Sequence, residues 1–122
     1  VYGGDDYFAS ARLTRQQARD SAISLLQEAA AQEGADQSVA DEASLGIQTL
    51  ASYTLAEAQI ENLVTAKGYA DCVAFMGEES ISIVVSKDDG SDLTAEDVAK
   101  ITDIAITETG YDASGIKIVP AN

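Results

Sequence analysis

The chain lacks histidine and tryptophan, and it has one cysteine, one proline and one methionine among 122 residues. Without histidine there is no ordinary general base near neutral pH and no imidazole ligand for a metal. With Cys72 alone there is no internal disulfide, which leaves the redox compartment open. Basic residues are also scarce. Seven stand against 21 acids, for a net charge of −14. A nucleic-acid ligand is excluded, because phosphate contacts need a basic stripe, and so is direct attraction to an anionic membrane. The same charge favours a protein partner that presents basic or apolar surface. Long apolar runs are missing too. Cys72 to Met76 and Ile83 to Val85 are far too short to span a bilayer.

What is present reads as a small α+β protein. Apolar residues make up 46% of the chain, with alanine supplying much of that share, so the core is expected to be modest. Val1 to Asp6 reads as a frayed lead-in. A helix is expected from Tyr7 to about Glu33, where Phe8, Ala11, Ala18, Ala22, Leu25 and Ala29 form a thin apolar stripe. Such a stripe buries little area, and the helix is expected to be only marginally held by its own domain. Arg12, Arg15 and Arg19 share one of its faces. They either pair with nearby acids such as Asp20 or form a basic patch kept for a partner.

A second helix begins near Ser38 after a break around Gly34, with Val39, Ala43, Ile47 and Leu50 on one face. It runs on to Lys67 or re-caps at Thr54, where Thr54-Leu55-Ala56-Glu57 has capping-box chemistry. Ile60, Leu63 and Val64 make a stronger stripe, ended by Gly68. The order from Leu55 onward is helix, strand, strand, helix, strand. Tyr69 to Met76 and Ser80 to Lys87 form a hairpin, Thr94 caps a helix that Gly110 ends, and Ile116 and Ile118 mark a last strand. The expected fold is a three-stranded sheet with two helices on one face, preceded by a helical extension at residues 1–53. In the second strand Ile81, Ile83 and Val85 face that core. In the first strand Asp71 shares a face with Val73 and Phe75, and a buried unpaired carboxylate is costly. Cys72, Ala74 and Met76 are therefore placed inward. Val73 and Phe75, with Val84 and Val119, are placed on an exposed, sticky outer face. The candidate docking surface is Val73, Phe75, Val84 and Val119, together with Arg12, Arg15 and Arg19.

No catalytic constellation emerges, and no set of residues calls for a cofactor or a metal. Gly3-Gly4-Asp5-Asp6-Tyr7-Phe8 echoes a diguanylate cyclase signature but lies at the chain end before a helix instead of on a hairpin. Asp88, Asp89 and Asp92 with Gly90 fail the spacing of a calcium loop. Ser86 and Lys87 are strand neighbours that point to opposite faces. Cys72 has no base to activate it. Glu57 and Glu61 share a helix face and read as solvated charges. The chain is expected not to be an enzyme.

Three segments carry a family resemblance: Tyr7-Phe8-Ala9-Ser10-Ala11-Arg12-Leu13-Thr14-Arg15, Glu61-Asn62-Leu63-Val64-Thr65-Ala66-Lys67-Gly68-Tyr69-Ala70-Asp71, and Ile101-Thr102-Asp103-Ile104. In order and spacing they resemble stage III sporulation protein AH over nearly the whole chain. Thr65 stands where members often have a basic residue, and Cys72 replaces a simple alanine. The resemblance implies that residues 54–122 form a domain of the ring-building type found in secretion and flagellar rings. It implies a structural role in a sporulation channel, with a stage II sporulation protein Q-like forespore protein as partner and a homo-oligomeric ring in the assembly. It also implies a membrane anchor upstream of Val1, with this domain between the mother-cell and forespore membranes. The start at Val1 instead of Met fits a piece of a longer protein. The alternative is a soluble regulatory domain that binds a ligand or cation at the loop from Asp88 to Asp92.

Overall fold

In this computed structural model residues 4–32, 34 and 36–121 are described. Two long helices come first: α1 (Gly4–Ala31) and α2 (Gln37–Ala66). They are followed by β1 (Asp71–Met76), β2 (Ile81–Ser86), α3 (Ala95–Thr109), a single 3-10 turn (Ala113–Gly115) and β3 (Ile116–Pro120). Gly4 to Asp6 already belong to α1, so the lead-in is shorter than its composition suggested; Val1 to Gly3 lie outside the described residues.

The central strand is β2. It pairs antiparallel with β1, Val73 opposite Val84, and parallel with β3, Ile83 beside Ile118. The hairpin connects the antiparallel pair directly, whereas the parallel pair needs the α3 crossover. Thr94 starts α3 with a full capping box: its hydroxyl accepts from Asp97 N, and the Asp97 carboxylate accepts from Thr94 N. Gly68 and Gly110 follow α2 and α3 with φ of 104° and 74°, a region where a side chain would be strained.

Alternation splits the sheet into two apolar faces. Cys72, Ala74, Ile81, Ile83 and Val85 pack against Ile60 and Val64 of α2 and Ile101 and Ala105 of α3. The parity assigned to β1 and β2 is therefore the one observed. The exposure of the opposite face is not. Phe8 of α1 is fully buried there against Val73 and Val84, with Tyr7, Ala11, Phe75 and Val119 around it. The sheet thus lies between α2 and α3 on one side and the start of α1 on the other.

The α2 helix does not re-cap at Thr54. The Thr54 hydroxyl donates to Leu50 O at 2.9 Å, an internal helical bond, so the boundary between 53 and 54 falls inside one continuous helix. An interior glycine in that helix has a packing reason. A Cβ on Gly46 would stand 3.0 Å from Leu26 Cδ1, so its absence lets α1 and α2 approach closely.

Candidate functional site

A sheet edge presents unpaired amides and carbonyls, and a bare edge recruits other strands. On the outer side of β1 the groups of Cys72, Ala74 and Met76 point away from β2, and side chains satisfy them. The Arg12 guanidinium donates to Cys72 O, and Arg15 Nη1 donates to Ala74 O. Glu61 Oε2 accepts from Ala74 N at 2.9 Å, and Glu57 Oε2 accepts from Met76 N at 2.8 Å. Asp71 Oδ1 accepts from Cys72 N at 2.8 Å. Two arginines from α1 and two glutamates from α2 thus take the place of a fourth strand.

The same groups also pair with each other. Arg12 Nη2 meets Asp71 Oδ1 at 2.6 Å, Arg15 Nη1 meets Glu61 Oε2 at 2.7 Å, and Arg19 Nη1 meets Glu57 Oε1 at 2.5 Å. Longer contacts of 3.6 Å join Arg12 to Glu61 and Arg15 to Glu57, so the pairs form one continuous ladder. The hydrogen bond and charge of Asp71 raise the Arg12 pKa further. Arg12 also lies over the Phe8 ring at 5.9 Å, and Arg19 over Tyr53 at 6.0 Å. Helical spacing makes the match possible. Residues 12, 15 and 19 descend one face of α1, while Glu57 and Glu61 rise one turn apart on α2.

This geometry revises several sequence expectations. Arg12, Arg15 and Arg19 do pair with acids, but with Asp71, Glu61 and Glu57 across the fold instead of Asp20. They are not a free basic patch. Glu57 is fully buried instead of solvated, tolerated because four hydrogen-bonding or charged contacts surround its carboxylate. Val73 and Val84 are buried under Phe8, while Phe75 and Val119 remain partly exposed at the margin. The α1 helix is held by this ladder as well as by Phe8 at the head of its apolar stripe, which is fully buried; Leu25, assigned to the same stripe, is 66% exposed.

Two apolar grooves flank the helix pair. One, of about 410 Å³, is lined by Ala18, Ala22, Leu50, Phe75 and Met76. The other, of about 610 Å³, runs past Ile23, Ala51 and Leu55, with Leu55 71% exposed. Other large apolar side chains exposed on the helices include Leu13, Leu25 and Leu45.

The acidic loop is exposed and is tied by a local hydrogen-bonded turn. Asp89 Oδ1 accepts from Ser91 N at 2.9 Å and from Ser91 Oγ at 2.6 Å, which lowers the Asp89 pKa. Asp97 lies far below the usual carboxylate range because it accepts from Thr94 N, Tyr69 Oη and Lys87 Nζ. Among the described residues no three of His, Cys, Asp or Glu converge to hold a metal ion. Burial pushes the Cys72 thiol up to about 12, a packing role and not a nucleophilic one.

A family described as SpoIIIAH-like protein matches residues 2–118. No curated protein sequence matches. One chain in the structure of the SpoIIQ-SpoIIIAH pore forming complex is 22% identical, with a TM-score of 0.76 over 95% of this chain and 99% of that one. The type III secretion system protein EscJ of enteropathogenic E. coli is 21% identical, with a TM-score of 0.55 over 62% of this chain and 49% of its own. At these identities the likeness is one of fold: helices against a three-stranded sheet.

Proposed function

The chain belongs to the SpoIIIAH-like protein family, and from that premise we propose that it is a structural subunit of a sporulation complex that docks a SpoIIQ-like forespore protein. The observation that carries this reading is the end-to-end likeness to a chain solved in the SpoIIQ-SpoIIIAH pore forming complex. In this reading the domain stands between the mother-cell and forespore membranes, contributes to a channel, and performs no chemistry. The use of its charged side chains supports a scaffolding role. The buried carboxylate and the arginines are spent on holding the sheet edge and on pairing with each other. No described helix is long and apolar enough to cross a membrane.

Docking is assigned to the groove that Phe75 shares with Leu50 and Met76. Apolar contacts there supply affinity, and the acidic surface around them sets orientation and encounter rate. The test is calorimetric titration of the chain with the extracytoplasmic domain of the SpoIIQ protein from the same organism. Stoichiometric binding is expected, weakened at least tenfold by Phe75→Glu with the circular dichroism spectrum unchanged. No binding to wild type overturns the partner assignment. Wild-type affinity in Phe75→Glu overturns the docking face alone.

A further inference from the structure

The ladder that closes the β1 edge is also a receptor with a specific ligand. It reads one helical pattern: an aromatic at position 8 seated on Val73 and Val84, then arginines at 12, 15 and 19 meeting Asp71, Glu61 and Glu57. The charged partners lie 38 to 59 positions apart in sequence. Everything α1 offers the receptor lies within Tyr7 to Arg19. Beyond that point, among the described residues, no side chain of 20–32 makes a hydrogen bond or ion pair with α2; Leu26 packs on Gly46 and Ile23 lines a groove with Ala51 and Leu55. The ligand is joined to its receptor through the rest of α1 and the turn that holds Gly34, whose φ is 83°.

We infer that the receptor also accepts the first helix of a second copy, so that two chains exchange α1. The occupant follows from complementarity. The sequence shown to fit this edge, residue by residue, is the chain's own first helix. The turn residues from Gln32 to Asp36 contain no proline, and apart from Gly34 nothing there opposes helix. Straightened, α1 and α2 form one rod about 95 Å long, which carries Phe8 and the arginines out of reach of their own sheet. In the exchanged dimer every ladder contact is remade, so the balance rests on the turn and on concentration. The intramolecular arrangement has an effective concentration on the order of millimolar. Dilute chains are therefore monomers, and exchange takes over where copies are crowded or where the turn cannot close. The inference needs no second protein and stands apart from the docking reading above.

The test uses the full chain with residues 33–35 deleted, so that the turn cannot reverse direction. Light scattering after size-exclusion chromatography is expected to give a dimer, and adding Phe8→Asp is expected to abolish it. A folded monomer, or a dimer indifferent to Phe8→Asp, overturns the inference. If the shortened chain does not fold, a fluorescent peptide of residues 4–31 decides, titrated onto the full-length chain and onto its Phe8→Ala/Arg15→Ala variant, whose own helix is weakened. Binding at least tenfold tighter to the variant than to wild type supports exchange, and equal or absent binding overturns it.

Discussion

Replacing Glu57 with leucine tests whether the ladder holds the fold. The side chain is fully buried, and the two residues are close in size, so little volume changes. What changes is pairing. Arg19 loses acceptors at 2.5 and 3.2 Å and keeps Thr54 Oγ1 at 3.0 Å; Met76 N loses its acceptor at 2.8 Å. Removing one partner of a buried pair costs about 3–5 kcal/mol. Arg15 and Arg19 retain some contact with water, at 18% and 14% side-chain exposure, and Arg15 keeps Glu61, so the loss should fall near the lower end, about 3 kcal/mol. With a urea slope of about 2 kcal/mol per molar, the unfolding midpoint drops by about 1.5 M. Glu57→Gln keeps one acceptor and should lose about half as much. The companion Arg19→Met/Glu57→Leu removes both charges and should recover more than about 1 kcal/mol relative to the sum of the single changes. A Glu57→Leu midpoint within about 0.3 M of wild type, or strict additivity in the double variant, would refute the ladder as a source of stability.

Three other outcomes follow from the same structure. Gly115→Ala places a methyl group against the Glu79 carbonyl oxygen, a backbone atom that cannot step aside, and should cost about 1–3 kcal/mol in thermal unfolding; an unchanged melting temperature would contradict the close approach. Cys72 should stay unreactive towards a disulfide reagent at pH 8 until the chain unfolds, since its thiol is buried and pushed up to about 12; rapid stoichiometric labelling without denaturant would show the site to be open. Tyr69, raised to about 12 by burial and by its bond to Asp97, holds its proton more tightly folded than unfolded. That contribution is complete below about pH 10 and is lost as pH climbs towards 12, so an ultraviolet titration should show a delayed phenolate fraction that Tyr69→Phe reduces, Tyr111, also raised by burial, supplying the rest. Asp97 works in the opposite sense: its lowered carboxyl pKa contributes above the unfolded carboxylate range and is lost as pH falls below it.

Local chemistry was legible in the sequence. The hairpin, the inward parity of Ile81, Ile83 and Val85, the Thr94 cap and the glycine stops each depend on residues a few positions apart, and the structure has them. The placement of α1 was not legible, because its alanine stripe names no partner and the contacts it makes are nearly half the chain away. The strand parity was right while its consequence was wrong: a face that is apolar and lacks a predicted cover need not be bare. One signal was present and went unused. Three arginines at helical spacing in a chain with seven bases, facing Glu57 and Glu61 at the same spacing, are complementary combs. Taking the glutamates as solvated separated the two halves of that match.

The distance between Arg15 and Ala74, 59 positions, also orders events during synthesis. The first helix leaves the ribosome before any part of its seat exists. At about 5–20 residues per second it waits roughly 3–12 s for β1 to follow. Through that interval an alanine-rich helix of marginal intrinsic stability has only α2 to lean on. A segment made before its seat is placed late, and Phe8 and the three arginines have no sheet to meet until β1 and β2 have followed.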